Sequence, residues 1–101
     1  MLSTLIASAA IWTASWYGPG YHGKITANGE VFNQWGSTAA HKTLPFGTRV
    51  KVCNRDLCET VRINDRGPFI YGRDIDLSQG TAERIGIINQ GVAPVTYTII
   101  N

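Results

Sequence analysis

The chain of 101 residues is poor in charge: nine Lys and Arg against seven Asp and Glu leave a formal +2 with neutral histidines. So weak a field excludes the basic footprint that nucleic acid demands, and no nucleic-acid partner is expected. Long apolar runs are also missing, so no transmembrane segment is expected and the chain should be soluble. Only two cysteines occur, without a second ligand pair, and His22 and His41 are not spaced as one, which makes zinc a poor reading. Nothing in the pattern calls for another metal, a nucleotide or any further cofactor, and none is expected. No Lys or Arg precedes the apolar opening "MLSTLIASAA". Residues 1–10 therefore read as an N-terminal extension, either a signal remnant or a spacer or first strand. That stretch holds no cysteine, so any lipid anchor is expected to lie outside this chain.

Turn chemistry, by contrast, is plentiful. Eleven glycines and four prolines punctuate a sequence with frequent Thr, Val and Ile, which suits one domain, residues 11–101, of short strands joined by tight turns. "IWTASWY" from Ile11 to Tyr17 predicts a strand that Gly18-Pro19-Gly20 ends. From Tyr21 to Ala40 no period is sustained, and a loop so long is either functional or hides a short element. Val50 and Val52, then Val61 and Ile63, alternate with polar neighbours and predict a hairpin of Arg49–Cys53 and Cys58–Ile63 across Asn54-Arg55-Asp56-Leu57. That hairpin would set Cys53 across from Cys58. A disulfide there would contribute only about 2 kcal/mol and imply an oxidising compartment, the alternative being two unpaired thiols at a strand end.

Asp74–Leu77 predicts a short strand, Ser78 caps a helix over Gln79–Ile85 that Gly86 closes, and Ala93–Ile100 predicts the last strand. Five or six short strands with one small helix point to a closed barrel, with a sandwich as the alternative.

Five segments carry a resemblance: "ASWYGPGYHGKITANGEVFN", "TAAHKTLPFGTRVKV", "VRINDRGPF", "RDIDLS" and "GVAPVTYTII". In this order, from Ala14 to Ile100, they resemble the double-psi β-barrel domain of the RlpA-like (rare lipoprotein A) family. The resemblance implies an all-β fold: a small six-stranded barrel with two crossing psi loops and one or two short helices. Expansins, barwin-like plant proteins and family 45 endoglucanases share that fold. It further implies a bacterial cell-envelope location, periplasmic or secreted. The implied partner is the peptidoglycan glycan strand, and the implied activity is that of a lytic transglycosylase preferring strands stripped of stem peptides. A monomer is expected. Glu30, His41 and Asp65 match the positions linked with activity, and Asp76 matches a characteristic acidic position. The Cys53/Cys58 pair departs from the family pattern.

The lytic route needs an acid to protonate the leaving oxygen and a base for the sugar's own C6 hydroxyl, so one well-placed carboxyl suffices. Asp65, between a strand end and the Gly67-Pro68 turn, is the candidate acid; capping that turn is its structural alternative. Glu30 is a candidate for stabilising developing positive charge, or else a solvated loop residue. His41 is a candidate to assist Asp65, and Asp76 to support binding. Tyr21 and Trp35, in the long loop, offer flat faces for sugar rings. Arg66 is a candidate to bind the lactyl carboxylate that stripped glycan exposes, or else an exposed arginine or a partner of Asp74 or Asp76. A non-catalytic, expansin-like wall-binding module is the main rival reading. An inverting hydrolase with two carboxyls is a third.

Overall fold

Alternation of apolar and polar residues gives most of the strands one apolar face, and curling round a core lets these faces bury one another without leaving an open edge. The computed structural model describes residues 10–101, so the expected extension lies almost wholly outside the described residues. β1 (Ile11–Tyr17), β2 (Thr38–His41), β3 (Arg49–Asn54), β4 (Leu57–Asp65), β5 (Ile75–Ser78) and β6 (Val92–Ile99) close into one barrel in the order β1-β5-β2-β4-β3-β6. Among the described residues a single helix, α1 (Gln79–Ile85), follows β5. Closure decides for the barrel over the sandwich.

β1 runs parallel to β5 and β2 parallel to β4, while the remaining pairs are antiparallel. The chain leaves β1, crosses β5 and enters β2; it later leaves β4, crosses β2 and enters β5. Segments 18–37 and 66–74 are thus two interlocked psi loops, and both cross the same part of the barrel.

Val50, Val52, Val61, Ile63, Ile75 and Leu77 are fully buried inside, with Ala82, Ile85 and Ile87 packed against them from α1 and the turn after it. Each of the Val, Ile and Leu side chains among them contributes about 1.5–3 kcal/mol by burial. Ser78 caps α1 by accepting the Thr81 N–H at 3.4 Å, and Gly86 ends it in the left-handed conformation with φ 82°. No helix among the described residues is long and apolar enough to cross a membrane.

Three local differences from expectation have plain causes. β2 emerges from the stretch taken as loop, because Thr-Ala-Ala-His is four residues long and carries no apolar alternation. β4 runs two residues past Ile63 to Asp65, since Ala40 of β2 pairs with Asp65 and prolongs the ladder. The hairpin turn is the two residues Arg55-Asp56, with Asn54 already paired to Leu57; Arg55 takes φ 56°. Cys53 does lie opposite Cys58, and the two form a disulfide.

Candidate active site

Register across four neighbouring strands sets the floor of a cleft. Ser15 of β1 pairs with Asp76 of β5, Asp76 with Ala40 of β2, and Ala40 with Asp65 of β4. Two carboxyls therefore flank one methyl group, their backbones two strand spacings or roughly 10 Å apart. Ala40 leaves open the space that a larger residue would fill. The cleft, about 270 Å³, is floored by Tyr17, Ala40, Asp65 and Asp76. Tyr21 of the first psi loop lines it, as do Gly67–Ile70 and Arg73 of the second.

Three groups aim at Asp65, and all are donors. Ala27 N–H (2.9 Å) and Arg66 N–H (2.9 Å) reach Oδ1, and the Tyr17 hydroxyl (3.1 Å) reaches Oδ2. The Tyr17 phenol is pushed well above its ordinary range by burial first and then by the Asp65 charge. Asp76 has a different setting: the Ser15 hydroxyl donates to its Oδ1 at 3.0 Å. Burial raises the Asp76 pKa; the Ser15 bond and the Arg73 charge oppose that rise, and the Asp65 charge adds to it. The two carboxyls thus sit in unlike environments within one cleft, an arrangement suited to splitting acid and base roles.

The other expected residues are placed as follows. Glu30 is held by Arg62 through two 2.7 Å bonds and by Asn28 and Asn64 at 2.9 Å each. The Arg62 bonds, foremost, take its pKa down to about 2, so it is a fixed negative charge rather than a proton donor. It does not line the cleft, but it holds the 26–30 turn that presents Ala27 N–H to Asp65.

His41 follows Ala40, so its side chain leaves the opposite face of β2. Its ring packs 5.0 Å from that of Trp12, and its Nδ1 accepts the N–H groups of Thr43 and Leu44 at 3.1 Å each. Burial, then the charges of Arg66 and Lys42, hold its pKa below the usual imidazole value. Its link to the cleft is its carbonyl, which accepts Arg66 Nη1 at 3.1 Å. The Arg66 guanidinium lies 3.9 Å above the Phe46 ring and lines the cleft, bonding neither Asp74 nor Asp76. Tyr21 stands edge-on to Tyr17, 5.7 Å between centroids. Trp35, half exposed, lies beside α1, where its carbonyl accepts Arg84 Nη1; it is not part of the cleft lining.

Sequence reasoning did not single out Ser15, Tyr17 or Arg73 as site residues. A period-of-two reading of β1 carries the signal. Trp12, Ala14 and Trp16 share the core face, which leaves Ser15 and Tyr17 together on the other.

Barrel, interlocked loops and cleft together define a double-psi β-barrel domain whose groove carries two carboxyls, Asp65 and Asp76, beside two guanidinium groups, Arg66 and Arg73. A family model described as lytic transglycolase matches residues 9–97, and the chain belongs to that family. It is 63% identical over 89 residues to the probable endolytic peptidoglycan transglycosylase RlpA of Synechocystis sp., covering 86% of this chain and 28% of that protein. It is 54% identical over 97 residues to the endolytic peptidoglycan transglycosylase RlpA of Campylobacter jejuni, covering 94% and 35%. The chain thus spans only 28% and 35% of the length of these two relatives. A solved expansin of Clavibacter michiganensis superposes with a TM-score of 0.74 at 17% identity, over 93% of this chain and 51% of the expansin, a likeness of fold.

Proposed function

We propose that this domain is an endolytic peptidoglycan transglycosylase of the bacterial cell envelope. It would cut the MurNAc–GlcNAc bond of glycan strands, preferably stripped of stem peptides, and leave 1,6-anhydro-MurNAc ends. The observation that carries the reading is the Asp76–Ala40–Asp65 row at the floor of the cleft between the two psi loops. Asp76, which burial inclines to keep its proton, donates it to the glycosidic oxygen as the C1–O bond breaks. Asp65, surrounded by donors, takes the proton of the MurNAc C6 hydroxyl as that oxygen bonds to C1. The acid role moves from Asp65, where sequence put it, to its neighbour across Ala40. No water is consumed, and one proton enters as one leaves. Arg66 is held flat on Phe46, and of its guanidinium nitrogens only Nη1 is bonded to protein among the described residues; it binds a lactyl carboxylate. Glu30 and His41 act as positioning residues, through Ala27 and Arg66 respectively.

Mass spectrometry of products from peptide-free glycan tests this directly. Asp65→Asn and Asp76→Asn should each lower 1,6-anhydro product about 10²–10⁴-fold, with circular dichroism unchanged. Wild-type cleavage should fall as pH rises through the Asp76 pKa, because the acid form is lost. Wild type without new ends would sink the reading. The exposed aromatic wall of Tyr21 and Phe69 favours one rival, a binding module without chemistry. That rival predicts glycan pelleting by wild type and both Asn variants alike, with no cleavage.

A further inference from the structure

The second psi loop carries more than the cleft uses. At its tip Phe69 is 81% exposed, Ile70 54%, and Tyr71 entirely so. Burial does not explain three consecutive large apolar side chains turned to water, and such patches mark binding surfaces. The tip is also firmly presented. Arg73 N–H closes a turn onto the Ile70 carbonyl at 3.2 Å, Lys42 Nζ donates to the Arg73 carbonyl at 2.8 Å, and Asp74 exchanges two 2.8 Å bonds with the Thr13 backbone at the loop's base. Beside the tip lies a shallow cavity of about 350 Å³ lined by Lys42, Phe69, Ile70 and Tyr71. Phe69 and Ile70 line the acid cleft as well, so one ridge separates two adjoining depressions.

We propose that this second depression is a further sugar-binding subsite, with Tyr71 as its stacking face and Lys42 as its anion handle. It holds an acidic sugar of the strand whose bond lies over Asp65 and Asp76. The inference rests on the reading that the cleft takes peptidoglycan glycan. Continuity argues for the occupant: Phe69 and Ile70 line both depressions, so a chain leaving the cleft over them meets this one next. Charge agrees, because a stripped strand carries a carboxylate on every second sugar, and Lys42 lines the same depression as the fully exposed Tyr71 ring. Strand length would then govern efficiency, since a short fragment fills the cleft and misses the subsite.

The experiment compares long peptide-free strands with a purified tetrasaccharide. In Tyr71→Ala the long-to-short ratio of kcat/KM should fall about tenfold through KM, and Tyr71→Trp should restore it. Lys42→Gln should weaken the preference of long strands for free over amidated lactyl carboxylates and leave that of the tetrasaccharide, which Arg66 reads in the cleft, unchanged. In parallel, Asp65→Asn with and without Tyr71→Ala is pelleted on insoluble peptide-free glycan, where about tenfold weaker binding is expected of the double variant. An unchanged ratio, or equal losses on both lengths, overturns the subsite, as does unchanged pelleting. Should wild type not cleave at all, the transglycosylase reading fails, while the pelleting comparison still judges the subsite.

Discussion

His41 separates what a residue type suggests from what its bonds allow. An imidazole near a candidate acid suggests proton transfer, yet its Nδ1 is occupied by two backbone N–H groups and its ring lies against Trp12. Its use is local: it holds the turn leading to Phe46 and, through its own carbonyl, Arg66. Asn places an oxygen where Nδ1 sits and accepts the same two N–H groups, as in an Asx turn. His41→Asn should therefore keep most of the cleavage that His41→Ala loses, which a proton-transfer role would not permit. The pH dependence has a definite sign. With the folded pKa below the unfolded value of about 6.5, the unfolded chain binds more protons, so this contribution is intact above pH 6.5 and is lost as pH falls through the folded pKa. Urea denaturation between pH 7 and pH 5 should show that loss in wild type and not in His41→Asn.

At the scale of elements, Gly80 reverses a propensity argument. A glycine inside a helix weakens it by about 1 kcal/mol relative to Ala, so Gly80→Ala appears stabilising on sequence grounds. The carbonyl of Trp35, however, would lie 2.5 Å from a Cβ at that position, and the atoms in contact are backbone that cannot swing aside. We expect Gly80→Ala to cost about 1–3 kcal/mol, read as a lower Tm. Most elements were legible before the structure because their signals are local. β1, the β3–β4 hairpin, the capped α1 and the final strand each carry a period of two or a cap and stop. β2 was not legible, since its four small or polar residues acquire strand geometry only from the neighbours β4 and β5 on either side. The same tertiary origin hid the cleft: no local pattern says that Asp65 and Asp76 will share Ala40 as a register partner.

For the molecule as a whole, the pattern of short strands pointed to a closed barrel with a sandwich still open, and the family resemblance implied the six-stranded barrel and its crossed loops. What neither supplied is how the crossing is pinned. Asp65 ends β4 at the start of the second psi loop, yet it accepts Ala27 N–H from the first and the Tyr17 hydroxyl from the end of β1. One side chain thus ties the two loops to each other as well as offering a carboxyl to the cleft. These duties come apart under substitution. Asn keeps an oxygen for Ala27 N–H and an amide beside the Tyr17 hydroxyl, whereas Ala removes the acceptor of the exposed Ala27 N–H and of the part-buried Tyr17 hydroxyl, at a cost of about 0.5–1.5 kcal/mol per bond. Asp65→Ala should therefore lower the denaturation midpoint and speed amide exchange at Ala27. Asp65→Asn should leave both close to wild type while lowering cleavage by the same factor of about 10²–10⁴. If the two variants were equally stable and equally protected at Ala27, the bond from Asp65 would not be what holds the loops in place, and loss of activity in either would report chemistry alone.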